Sequence, residues 1–376
     1  MIAASSPVQR PLHARMLSVD GRGNIQHQAR SEFANLLRPD DLVIANDAAT
    51  LPASLSGRHS RTGRQIEVRL AGRDSLDGVR QFSAVVFGEG DFHTRTEDRS
   101  NPPALNPGDL LELGCLRGIV IRLLNHPRFI SLQFDGSPRQ VWEGLARHGR
   151  PIQYSHVPSP LTVWDTWTPI AGPPVAFEPP SAGFVLDWSM LASMRARKIR
   201  FATITHAAGL SSTGDPELDA LLPLPEPYRV PQSTALMIQH AQVFSNRIIA
   251  IGTTVVRALE HTASMFEGAV PSGERLATQR LGGTSRLRIV DAILSGTHAS
   301  GTSHYELLRA FLDDEMLGHV DQELNACGYR THEFGDSVFL ERADKQMHSV
   351  ERPHGGDRFS QGEIIPANPA GPEEGE

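Results

Sequence analysis

The chain has 376 residues, 39% apolar and 21% charged, with 43 acidic and 36 basic side chains and a formal charge of −7. That length suits two or three domains, and the acidic balance excludes a general polyanion binder, so any nucleic-acid affinity must come from a local basic patch. Two widely separated cysteines, Cys115 and Cys327, exclude a disulfide framework and match no metal spacing. No apolar run reaches the roughly 18 residues of a membrane helix, and Met1 to Arg15 has no leader-like apolar core. The expectation is a cytoplasmic, membrane-free monomer without a metal.

The first ten residues look loose. Asp41-Leu42-Val43-Ile44-Ala45-Asn46 is then a short buried strand ending in polar residues. From Gly57 the texture changes. Gln65 to Leu70 alternates strictly, and Phe82–Phe87, Leu110–Leu113, 118–124 and Phe129–Phe134 are further short strands separated by turns such as Asn106-Pro107-Gly108-Asp109. Strands with no helical period between them predict a small antiparallel barrel over 57–136. It is inserted into an α/β domain comprising 11–56 and 137–343.

Beyond about Ser137, helices and strands alternate. Asp187 to Arg197 sets Met190, Leu191 and Met194 on one helical face, and Ile199 to Thr205 is a strand. Ser233 to Ser245 is helical, with Leu236, Met237, His240 and Phe244 in register. A strand over Arg247 to Ile251 precedes a helix over Thr254 to Phe266, and 289–294 and 337–340 supply two more strands. This is the pattern of an α/β fold with a mostly parallel sheet. From about Asp344 the chain is rich in Pro, Gly and Glu and reads as a disordered tail, 344–376.

Several strong signatures are missing. Gly21/Gly23 and Gly88/Gly90 lack the third glycine of a dinucleotide fingerprint, neither lysine (Lys198, Lys345) follows a phosphate-loop glycine, and there is no His-Glu-x-x-His or Cys-x-x-Cys. What remains is a set of polar, glycine-bearing segments at strand ends. Ile251-Gly252-Thr253-Thr254-Val255-Val256-Arg257 joins a strand to a helix, where free N–H groups can hold a carboxylate or ribose hydroxyl; a simple N-cap is the alternative. His206 and His298 each follow a strand, within Thr205 to Gly209 and Ser295 to Ser300, and each is a candidate acid or base or a structural histidine. Pro179 to Gly183 is a rigid turn before a helix. Arg195 to Arg200, the most basic stretch, suits a solvated helix C-terminus or an RNA contact.

Taken together these segments resemble the S-adenosylmethionine:tRNA ribosyltransferase-isomerases of queuosine biosynthesis. The resemblance is carried by Leu42 to Asp47 with Leu51-Pro52-Ala53, Gln65 to Val68, Pro180 to Gly183, Thr205 to Gly209, Ile251 to Glu260, Ile289 to Ala292 and Phe334-Gly335-Asp336, in order across about residues 15 to 340. It implies a larger α/β domain bearing a small barrel. It also implies transfer and isomerisation of the ribosyl part of S-adenosylmethionine onto the aminomethyl group of a 7-deazaguanine in tRNA, giving epoxyqueuosine and releasing adenine and methionine. On that basis S-adenosylmethionine is the expected substrate and tRNA a possible partner.

The departures are specific. The family's Asn-Asn-Thr-Arg-x-x-Pro-Ala-Arg becomes Asn46 to Ser54, losing both arginines, and three histidines are lost near Phe184, Leu221 and Leu224. Lost phosphate contacts weaken a grip on tRNA, so a smaller amine acceptor, plain cleavage of S-adenosylmethionine by a lyase or nucleosidase, or a non-catalytic nucleoside- or RNA-binding role stand as alternatives. The acid–base candidates are His206, His298, Asp291 and Asp336. The binding candidates are Asn46, Asp47, Glu67, Ser181, Ala182, Gly183, Gly209, Glu226, Gly252, Thr253, Thr254 and Arg257.

Overall fold

A computed structural model describes residues 1–7 and 13–343; the expected tail, 344–376, lies outside the described residues. The α/β layer is a nine-stranded mixed sheet. Its central four strands, Arg200–His206, Leu42–Asn46, Ile248–Ile251 and Ala292–Gly296, run parallel. Antiparallel pairs flank them, with Glu226–Val230 and Gly273–Ala277 on one side and Ser337–Glu341 on the other, beyond which Arg15–Val19 and Ile25–Ala29 complete the order.

Successive strand side chains point to opposite faces, and both faces here are covered. Val43, Ala45, Ile249, Ile251 and Leu294 pack with Phe33, Met190 and Met194 on one side. Leu42, Ile44, Ile248, Ala250 and Ile293 pack with Val255, Leu259, Leu317 and Val320 on the other. Continuous apolar strands are what a sheet buried on both faces requires. The helix Trp188–Ala196 is started by Asp187, whose carboxylate accepts from the Met190 N–H at 2.8 Å, and it buries the expected Met190 and Met194. In the helix Gln232–Val243 the expected face is only partly buried. Thr234, Ile238 and Ala241 are buried and Met237 packs against the same core, while Leu236 and Phe244 face solvent.

The second unit is a closed six-stranded antiparallel barrel. Its order is Ser54–His59, Gln65–Gly72, Gln81–Phe87, Phe129–Phe134, Leu116–His126 and Leu110–Leu113, with closure between Arg58–His59 and Leu111–Glu112. The sheet thus starts three residues before the expected 57 and also takes in Gly149–Arg150, which pair with Ser54 and Leu55. Closure needs Gly57, because a Cβ there would lie 2.0 Å from the Glu112 carbonyl oxygen. Nor is the start of the chain loose. Ile2–Ala3 pair with Arg330–Thr331 and Ala4 is buried. Among the described residues no helix is long and apolar enough to cross a membrane.

Candidate functional site

Because the four central strands are parallel, their carboxyl ends share one edge, the edge at which open α/β sheets bind ligands. Gly252 lies there with φ 92° and ψ 154°, a conformation only glycine adopts without strain. It turns the strand Ile248–Ile251 into the helix Thr253–Met265, whose first N–H groups open on a cleft of about 320 Å³. Gly252, Thr253 and Thr254 line this cleft, as do Ser181, Ala182 and Gly209 from two neighbouring turns. Gly252→Ala is expected to cost about 1–3 kcal/mol of stability, read by denaturant unfolding. A variant as stable as the parent would show that the turn relaxes.

Glu226 and Arg257 also line the cleft, but they are bonded to each other. The Arg257 guanidinium bonds Glu226 and the carbonyls of Leu224 (2.9 Å), Ala277 (3.0 Å) and Gln279 (3.1 Å). Four of its five N–H donors are therefore engaged within the protein, which leaves one on Nη1. Glu226 also accepts from the Gly209 N–H at 2.6 Å and from His206 Nε2 at 2.9 Å. Burial pushes its carboxyl up, but the His206 hydrogen bond and the Arg257 charge outweigh it and bring it to about 2.

His206 is fully buried behind Glu226 and does not line the cleft. Its Nδ1 donates to the Thr254 carbonyl at 2.8 Å, so both ring nitrogens face acceptors. The expected acid–base candidate is thus held inside the protein and does not reach either cavity. Asn46 supports it, donating to the His206 carbonyl and accepting from the His206 N–H, each at 2.9 Å.

His298 does face the cleft. Burial pushes its ring well below the ordinary histidine range, with the charges of His304 and His332 adding to the effect, so it is neutral at pH 7. The Ser295 hydroxyl shares a hydrogen bond with its Nε2 at 3.0 Å.

Five expected residues are used elsewhere. Asp291 sits at the opposite, amino edge of the sheet, where its carboxylate accepts from the Ile248 N–H at 2.9 Å and pairs with Arg342. Asp336 accepts from the N–H groups of Arg15 and Arg330, both at 2.8 Å, and ties two chain ends together. Glu67 is inside the barrel, held by Arg69 and Arg99. Asp47 accepts from the Thr203 and Thr205 hydroxyls. Gly183 packs on Thr168.

A second cavity, about 410 Å³, adjoins the first and shares Glu178, Ser181, His298 and His304 with it. Arg95, Thr96 and Glu97 of the barrel segment close its far side, so one continuous cleft runs from the sheet edge to the barrel. At the junction stands Glu178, which sequence reasoning missed although it precedes the Pro179-Pro180 turn. Burial pushes its carboxyl up to about 7, the Glu333 charge adds, and the Tyr154 hydroxyl that donates to it opposes.

An antiparallel barrel set against the carboxyl edge of a mostly parallel sheet, with two adjoining cavities there, is an α/β architecture carrying a small β-barrel. The family model described as "Queuosine biosynthesis protein" matches residues 1–340. The chain belongs to that family. An S-adenosylmethionine:tRNA ribosyltransferase-isomerase from Sorangium cellulosum is 30% identical over 91% of this chain and 96% of that protein. One from Pelobacter propionicus is 27% identical over 85% and 90%. A crystal structure of an S-adenosylmethionine tRNA ribosyltransferase from Thermotoga maritima covers 90% of this chain and 96% of its own, at 19% identity and a TM-score of 0.47.

Proposed function

We propose that the chain transfers and isomerises the ribosyl part of S-adenosylmethionine onto the 7-aminomethyl-7-deazaguanine of tRNA, with release of adenine and methionine. The observation that carries this is the continuous cleft, which offers one chamber for the donor and a second for the acceptor, joined at Glu178 and His298. The names of the relatives agree with it. The helix N-terminus at Gly252-Thr253-Thr254 suits the donor's carboxylate or ribose hydroxyls. Glu178 can give or take a proton near pH 7, and neutral His298 can accept one. No metal enters this reading. The test incubates the protein with S-adenosylmethionine, with and without tRNA carrying the modified base, and follows adenine and methionine by mass spectrometry. Release that depends on the tRNA is the expected result, and no release in either arm would overturn the assignment.

One observation favours a second reading, a small amine acceptor in place of tRNA. Arg195 to Arg200 lie at the amino end of the strand Arg200–His206, away from the cleft. On the barrel, Arg58 pairs with Glu112 and Arg61 with Asp109. The first patch is therefore badly placed, and these two arginines of the second are already paired. Phosphate contacts dominate nucleic-acid affinity and its salt dependence. Weak tRNA binding with a shallow salt slope is expected near physiological ionic strength, while tight, steeply salt-dependent binding would remove the small-acceptor reading.

A further inference from the structure

The barrel-side chamber contains a group of side chains to which the steps proposed above assign no proton transfer. His156 Nε2 and Glu333 Oε2 are 3.3 Å apart, with side chains 16% and 20% exposed. The His332 ring stacks on that of His156, with centroids 4.2 Å apart and planes 22° apart. Tyr154 lies parallel to His156 at 6.1 Å and 9°. One ligand atom from each of His156, His332 and Glu333 falls within 4.8 Å of the other two. All three residues line the 410 Å³ cavity.

We propose that His156, His332 and Glu333 form a three-ligand site for a zinc-like divalent cation, with its remaining coordination position open to the cleft. Two imidazoles and one carboxylate, plus a water or substrate atom, make the usual donor set of a reactive zinc site. Zinc–ligand bonds of about 2.0–2.2 Å in a tetrahedron put ligand atoms roughly 3.3–3.5 Å apart. The His156–Glu333 separation already has that value. The His332 ring must leave its stack on His156 and turn so that its in-plane lone pair meets the ion, a side-chain movement open to an exposed ring. The Tyr154 stack holds the His156 ring in plane, which limits the ordering needed when an ion arrives. Glu333 lies 177 residues from His156. Such a set has no local spacing, which is why the sequence shows no metal motif.

The site lines the barrel-side cavity, so its open position would take an oxygen or nitrogen of whatever occupies that cavity. The binding of the ion does not depend on ribosyl transfer. Binding of the ion and turnover of S-adenosylmethionine are separate measurements.

The test is calorimetric titration of the chelator-stripped full-length protein with zinc chloride. One ion per chain is expected. His332→Ala and Glu333→Gln should each weaken it by about a hundredfold or more, since loss of an outer-shell partner alone costs 10–100-fold. His332 is exposed, so its variant should fold, and thermal melting checks this. A second group, His27, Glu323 and Cys327, lies on the surface. Cys327→Ser should leave the titration unchanged, and X-ray absorption on the zinc-loaded protein should show two imidazoles and no sulfur. No stoichiometric binding, binding untouched by both cleft variants, or a sulfur ligand would overturn the proposal.

Discussion

Replacing Glu226 with alanine should cost about 3–5 kcal/mol of stability near pH 7, because it leaves the charge of Arg257 buried without its partner. Equilibrium unfolding in urea measures this. The loss should depend on pH in a definite direction. The Glu226 carboxyl is depressed from an ordinary 4.5 to about 2 in the folded protein. Its contribution is therefore complete above about pH 4.5 and disappears as pH falls toward 2. Parent and variant should differ most at neutral pH and converge in acid. A gap that stays constant from neutral pH to pH 3 would show that Glu226 does not act through its charge. Glu226→Gln should recover only part of the loss, because its single amide oxygen can replace the acceptor for Gly209 or the one for Arg257 but not both.

Glu178→Gln should slow adenine release by about 10²–10⁴-fold, the usual scale for losing a general acid or base, while S-adenosylmethionine still binds. The amide keeps the volume and the acceptor for the Tyr154 hydroxyl but cannot exchange a proton. Single-turnover kinetics with a parallel binding titration separate the two effects. Unchanged release would dismiss Glu178 as the proton carrier and leave His298 as the candidate at the junction.

The parts of the fold that were visible in the sequence are those set by local pattern. Leu42–Asn46 and Ile248–Ile251 are apolar runs bounded by polar residues, and their only stable home is a sheet covered on both faces. Glu226–Val230 and Gly273–Ala277 carry charged residues and little alternation. They are strands because a neighbour supplies the hydrogen bonds, which no local window shows. The site divides in the same way. The Gly252 turn is local, and so is its reading. Asp291 is also at a strand end, but at the wrong one, since the strand begins at Ala292 instead of Ile289. Glu178, Tyr154 and His304 act through burial and pairing across the fold, and residue type alone carries no trace of that.

The order of the strands has a consequence for how the chain is made. Arg15–Val19 leave the ribosome among the first residues, yet they are seated beside Ser337–Glu341, among the last described. Until then they have only their hairpin partner, Ile25–Ala29, and an isolated hairpin is marginal in water. The barrel strands are contiguous between Ser54 and Phe134 and can close first. Synthesis of the remaining α/β strands then takes on the order of ten seconds or more. During that wait the early strands lack their sheet neighbour, whereas every strand of the barrel already has its partners in the finished segment.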